Sequence, residues 1–172
     1  MPRYSLLYGL LLVAGLASGA FAAADDKPDM FALLKEEQIG DLRLLGLTEK
    51  EVKTKIPCKL KKGKEEFWAA TGEFVQKWDY PDCGISLNMG SGRKGGAKKV
   101  LSITAKKPSP LKTKRGIGIG DPEQEVMKAY GPYQDKEMSQ EGQFVAGSVY
   151  GGLIFSFEKG RVAQMFLGAA AE

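Results

Sequence analysis

Gly46-Leu47-Thr48-Glu49-Lys50-Glu51-Val52 and, later in the chain, Ile119-Gly120-Asp121-Pro122-Glu123-Gln124-Glu125-Val126 share one plan: an apolar, glycine-bearing stretch runs into the start of a helix. Thr48 followed three residues later by Glu51 is a capping-box pattern, in which a hydroxyl and a carboxylate satisfy amides that a helix start leaves open. Val52 and Ile56 then lie one turn apart on the same face, and Pro57 stops the helix. Asp121 and Gln124 predict a similar cap in the second copy, with Pro122 at the first helical position, where its missing amide costs nothing. Val126, Met127 and Tyr130 supply the buried face there, and Gly131-Pro132 the stop.

Beyond each helix the period of apolar residues falls from 3.6 to 2. In the first copy Phe74, Trp78 and Tyr80 lead to a Pro81-Asp82 turn, and Ile85, Leu87 and Met89 then alternate with Ser86 and Asn88. Residues 84–87 pair with 100–103. In the second copy Phe144 to Tyr150 leads to Leu153, Phe155 and Phe157, and Glu158-Lys159-Gly160-Arg161 makes a tight hairpin into Val162. Here residues 152–155 pair with 162–165. Two units that each need a partner for one face predict an α+β fold: tandem helix-plus-antiparallel-strand units sharing one curved sheet, with the helices packed on one face. The units span 39–107 and 116–172. Residues 108–115 link them, because Pro108-Ser109-Pro110 is extended and unsuited to a sheet centre. Residues 39–45 partly alternate and predict a short strand, and the segment 23–38 reads as an amphipathic helix or as a tail packed on the body.

Residues 1–22 read as a signal peptide: Arg3 precedes the apolar run Leu6 to Leu16, and Ala20-Phe21-Ala22 offers small residues at the two positions a signal peptidase reads. The run is too short for a membrane span. The expectation is a periplasmic or secreted protein, cleaved near Ala22, with no transmembrane segment afterwards. Cys58 and Cys83 are the only cysteines, and an oxidising compartment makes one disulfide their natural state.

The formal charge is +4, and loss of Arg3 with the signal leaves +3. Lys59, Lys61, Lys62 and Lys64 form one basic cluster. Arg93, Lys94, Lys98, Lys99, Lys106, Lys107, Lys112, Lys114 and Arg115 form another, with no acid between 93 and 115. Such a patch can steer an anionic partner, or can simply solvate glycine- and proline-rich loops. Trp68, Trp78, Tyr80, Tyr130, Tyr133 and Tyr150 are of the types that dominate interfaces when desolvated, and equally of the types that build cores. A candidate binding surface therefore comprises Trp68, Trp78, Tyr80, Tyr133 and Tyr150 with Arg93, Lys94, Lys98, Lys99, Lys112, Lys114 and Arg115.

Catalysis is not expected. The chain has no histidine, the usual base of serine and cysteine nucleophile systems, and no metal-ligand cluster, so neither a metal nor a cofactor is anticipated. Gly116-x-Gly118-x-Gly120 lacks the final spacing of a dinucleotide fingerprint, and Gly90 to Gly96 lacks the Gly-Lys-Ser/Thr of a phosphate loop. The latter reads as a mobile hairpin tip.

Leu45 to Val52 with Ile56-Pro57, and Gly120 to Pro132, resemble the "glycine, apolar, Thr/Ser, helix, Pro" opening of the superfamily that contains the β-lactamase-inhibitor-protein fold and the outer-membrane assembly lipoproteins of the SmpA/OmlA family. The resemblance covers about residues 39–167. It implies helical segments packed on an antiparallel sheet, two units in tandem as in the inhibitors, and a protein partner on the concave sheet face. The chain departs from the lipoproteins in lacking a cysteine at the mature start, and from the inhibitors in having cysteines for a disulfide in the first unit only. The leading expectation is an exported, non-catalytic protein-binding module at the cell envelope or outside the cell. The alternatives are a protein that associates with anionic lipid or polymer through its basic loops and, from a third class, a hydrolase. No nucleic acid is expected as a partner.

Overall fold

The computed structural model describes residues 30–44 and 46–170. The expected signal peptide, its cleavage point, residues 23–29 and Leu45 lie outside the described residues. Among the described residues seven strands form one antiparallel sheet: β1 (Lys61–Trp68), β2 (Glu73–Tyr80), β3 (Ile85–Ser91), β4 (Lys99–Lys106), β5 (Gln143–Ser148), β6 (Gly151–Glu158) and β7 (Arg161–Gly168), in the order β1-β2-β3-β4-β7-β6-β5. Among the described residues three α-helices accompany it: α1 (Met30–Glu36), α2 (Glu49–Lys55) and α3 (Glu123–Tyr130). The class is α+β.

Alternation sets one face of this sheet inward. Trp78, Leu87, Ile103, Leu167, Leu153 and Ala146 stand opposite one another across six strands, and Tyr80, Ile85, Ala105, Met165, Phe155 and Phe144 form the next row. All are buried in one core with Leu33 of α1, Val52 of α2, and Val126 and Tyr130 of α3. Burying each large apolar side chain contributes about 1.5–3 kcal/mol, which is what draws the short helices onto this face.

The capping box at α2 is complete: the Thr48 hydroxyl accepts from the Glu51 amide, and the Glu51 carboxylate accepts from the Thr48 amide at 2.8 Å. The Thr48 amide, and then its hydroxyl, hold the Glu51 carboxyl below the ordinary carboxylate range. The expected cap of the second helix is corrected. Pro122 itself occupies the N-cap position, with no side-chain cap. Asp121 instead accepts from the Gly118 amide at 2.8 Å, closing the turn before the helix, because it stands one residue too early to reach the helical amides. Gly131-Pro132 leads into a short 3-10 turn, Gly131–Tyr133.

Residues 39–44, the described part of the expected strand 39–45, are not a strand either. Gly40 has φ of +59°, which folds Ile39 back to bridge Leu42, and Ile39 makes a second single bridge with Thr113. The tip at 90–96 is held rather than free: Gly96 donates to Arg93 O at 2.9 Å, and Gly95 donates to Glu65 at 2.9 Å. The β6–β7 hairpin matches expectation, with Lys159 at φ 52° and Gly160 at φ 71°.

Cys58 and Cys83 form a disulfide across 25 residues with a Cα separation of 6.0 Å, tying the segment after α2 to the turn before β3. Cys58→Ser combined with Cys83→Ser is expected to lower stability by about 3 kcal/mol through the freed unfolded chain. The denaturant midpoints of the variant and of the reduced native protein, each compared with that of the oxidised native protein, measure this loss. A midpoint unchanged by both treatments would show that the bridge constrains nothing.

Candidate binding face

The residues between the core-facing positions form the other side of the sheet. Lys61, Asp79, Ser86, Thr104, Phe166, Ile154 and Val145 stand opposite one another in a single row crossing all seven strands, from charged at β1 to apolar at β5. Asp79, Ser86, Thr104 and Phe166 are half-buried. Val145 and Ile154 are buried yet lie apart from the main core.

Two clefts flank the centre of this row. Towards the β1–β2 turn, Trp68, Glu73, Asn88, Leu101, Ser102 and Phe166 line a cleft of about 360 Å³. Its aromatic and aliphatic walls carry a few amide, hydroxyl and carboxylate groups, the mixture typical of recognition sites. At the opposite end Lys61, Lys77, Lys106 and Lys107 surround Asp79 and Ser86 in a cleft of about 350 Å³. Asp79 accepts from the Ser86 hydroxyl and lies 3.3 Å from Lys77 Nζ.

The residues singled out from sequence are dispersed by the fold. Trp68 joins the first cleft. Trp78 and Tyr80 are corrected: at 0% and 1% exposure they are core, because their register opposite Leu87 and Ile85 turns them inward. Trp78 donates its indole N–H to Gln76 at 2.9 Å, and Lys62 Nζ lies 4.3 Å from its ring centre. The Tyr80 hydroxyl has no hydrogen-bond partner among the described residues, and burial pushes its phenol up. Tyr150 is 76% exposed and borders a cleft with Leu34 and Leu44.

The basic patch of residues 93–115 is largely matched by acids from elsewhere in the chain. Lys98 is buried against Glu65 and also reaches Ser91 Oγ at 3.2 Å, which withdraws it from the surface expected of it. Lys98, and then the Gly95 amide, hold the Glu65 carboxyl below its ordinary range. Lys99 meets Glu73 at 2.9 Å, Lys112 meets Asp121 at 3.5 Å, and Lys114 meets Glu36 at 3.9 Å. Arg93 and Lys94 are exposed and pair with no acid among the described residues.

Arg115 belongs to a construction that sequence reasoning missed. It stacks on Tyr133 at 4.6 Å and on Tyr130 at 5.4 Å, and its Nε lies 3.9 Å from Glu37. Glu37 is 2% exposed, and its carboxylate accepts from the Lys114 amide at 2.8 Å and the Tyr130 hydroxyl at 2.9 Å. Burial, with Glu37 acting in the same direction, pushes the Tyr130 phenol well up. This cluster fastens the segment after α1 to α3 and is structural.

Among the described residues no helix is long and apolar enough to cross a membrane, which together with the disulfide is compatible with a periplasmic or secreted protein. Comparison with protein-family models, with curated proteins and with solved structures finds no match.

Proposed function

We propose that this chain is an exported, non-catalytic module that binds another protein through the face of the sheet opposite its helices. The observation that carries the reading is the row from Lys61 to Val145, flanked by an aromatic cleft at one end and a lysine-lined cleft at the other. A partner that suits it presents apolar side chains to Trp68, Leu101 and Phe166 and acidic ones to Lys77, Lys106 and Lys107. Pairing of Lys98, Lys99, Lys112 and Lys114 within the chain favours this reading over association of the basic loops with anionic lipid or polymer.

We also read the sheet as a duplication. With β1 set aside, β2-β3-β4 and β5-β6-β7 lie in mirrored order about the β4–β7 junction, with α2 before the first set and α3 before the second. This agrees with the tandem plan of the inhibitor superfamily.

A photoreactive phenylalanine analogue at position 88 or 104, on the proposed face, is expected to yield specific protein adducts in cells that export the chain. The same group at Lys53, on exposed α2, serves as control. Adducts no more frequent at 88 and 104 than at 53 would sink the proposal. Retention on anionic vesicles that disappears with salt, in the absence of adducts, would favour the basic-loop alternative.

A further inference from the structure

The two edges of the sheet differ. Residues 134–140 run beside β5: Gln134 bridges Ala146, the Asp135 amide donates to Val145 O at 2.9 Å, and the Val145 amide donates to Ser139 Oγ at 3.1 Å. β1 pairs with β2 on one side and has no strand on the other among the described residues. It is eight residues long and mostly exposed, and Phe67 on it is 57% exposed. Lysines and bulges normally protect such an edge from pairing. β1 has both, in Lys61, Lys62 and Lys64 and in a register shift between Lys62 and Glu65.

Beyond the bulge the charge of the strand reverses, and this suits the edge to one particular partner. The extra residue leaves Lys61 and Glu66 on the open face, opposite Asp79 and Val75, and leaves Lys62, Glu65 and Phe67 on the helix face, opposite Trp78, Gln76 and Phe74. The strand therefore reads lysine before the bulge and glutamate after it, position for position, on both faces. Lys61 and Glu66 are exposed and pair with no charged group among the described residues.

We propose that β1 pairs antiparallel with β1 of a second copy of this chain, about a two-fold axis through the bulge. Antiparallel pairing sets side chains of the same face opposite each other, so this axis places Lys61 of each copy against Glu66 of the other. Leu60, partly buried beside the core, comes opposite the exposed Phe67 ring, and Lys59 comes opposite Trp68. Glu65 keeps Lys98 of its own chain and Lys62 keeps the Trp78 ring, so the Lys61–Glu66 pairs set the register. A parallel copy would oppose lysine to lysine and glutamate to glutamate, and is disfavoured. The result is one sheet continuous through both copies, with the open face of each on the same side.

Sedimentation equilibrium of the purified protein at about 100 μM, within the range of weak self-association, is expected to give twice the mass of one chain. Lys61→Glu and Glu66→Lys should each weaken the dimer about tenfold, since both symmetric pairs become like-charged. Mixing these two variants, or combining both changes in one chain, should restore the dimer, because opposite charges again face each other. Both positions are exposed, and the combined variant keeps the test decisive if one single variant folds poorly. A monomer at that concentration would overturn the proposal. So would a dimer indifferent to either charge reversal, or single variants that mixing does not rescue. None of these outcomes bears on adduct formation at positions 88 and 104.

Discussion

Gly84→Ala is expected to destabilise the protein by about 4 kcal/mol, combining the strain of a left-handed residue with a collision against main chain. Gly84 has φ of +62°, and a Cβ there would fall on the Lys106 carbonyl oxygen and lie 2.7 Å from Ser109 N and 2.8 Å from Pro108 N. These are backbone atoms, so no rotamer change relieves the contact. The same glycine ends the turn that carries Cys83, and Lys106 donates its amide to Gly84 O at 2.9 Å. A shift that made room for the methyl would therefore pull on the start of β3 and the end of β4 together. Thermal or denaturant unfolding measures the effect, with Gly46→Ala as control: φ there is +90°, but nothing lies within 4 Å of the added carbon. The control should lose only the backbone share, about 1 kcal/mol. Equal losses at the two positions would refute the collision argument.

Glu37→Ala should cost about 3–5 kcal/mol, the range for removing one member of a buried charged network. The substitution strands the Lys114 amide and the Tyr130 hydroxyl and leaves Arg115 stacked on two rings without its carboxylate. Glu37→Gln keeps an acceptor for the amide and should lose less than half as much. The cluster also predicts a pH dependence. An unfolded chain releases its tyrosine protons near pH 10, whereas Tyr130 in the folded protein holds its proton to higher pH. The unfolded state thus binds fewer protons above pH 10. The stability associated with the neutral phenol is complete below that pH and declines as pH rises further. Tyr80 contributes with the same sign. Tyr130→Phe should flatten the alkaline decline, and a decline unchanged by it would assign the effect elsewhere.

What could be read from the sequence were features whose causes are local. The Thr48–Glu51 box spans four residues, the Lys159-Gly160 turn spans two, and β3 alternates from Ile85 to Met89 because one of its faces is buried there. β1 escaped notice for the converse reason. At an edge with both faces wet, Lys61 to Glu66 need not alternate, and the strand exists because β2 offers a hydrogen-bonding partner. Trp78 and Tyr80 carry side chains equally suited to a core and to an interface, and only their register against β3 decides between the two. The basic patch misled because its counterions are distant in sequence. Glu65 lies 33 residues before Lys98, and a run of cations shows nothing of acids brought to it by folding. Glu37 sits in the polar run Lys35-Glu36-Glu37-Gln38, which looks solvated until α3 closes over it.

The junction between β4 and β7 has a bearing on how the chain reaches this state. Every other neighbouring pair in the sheet is joined by a hairpin or short connection, whereas Lys106 meets Gln164 and Ile103 meets Leu167 across more than half a hundred residues of intervening chain. Closing that span spends configurational freedom before any contact is returned, so the two hairpin sets are expected to form ahead of their union, which should slow the folding of the whole sheet.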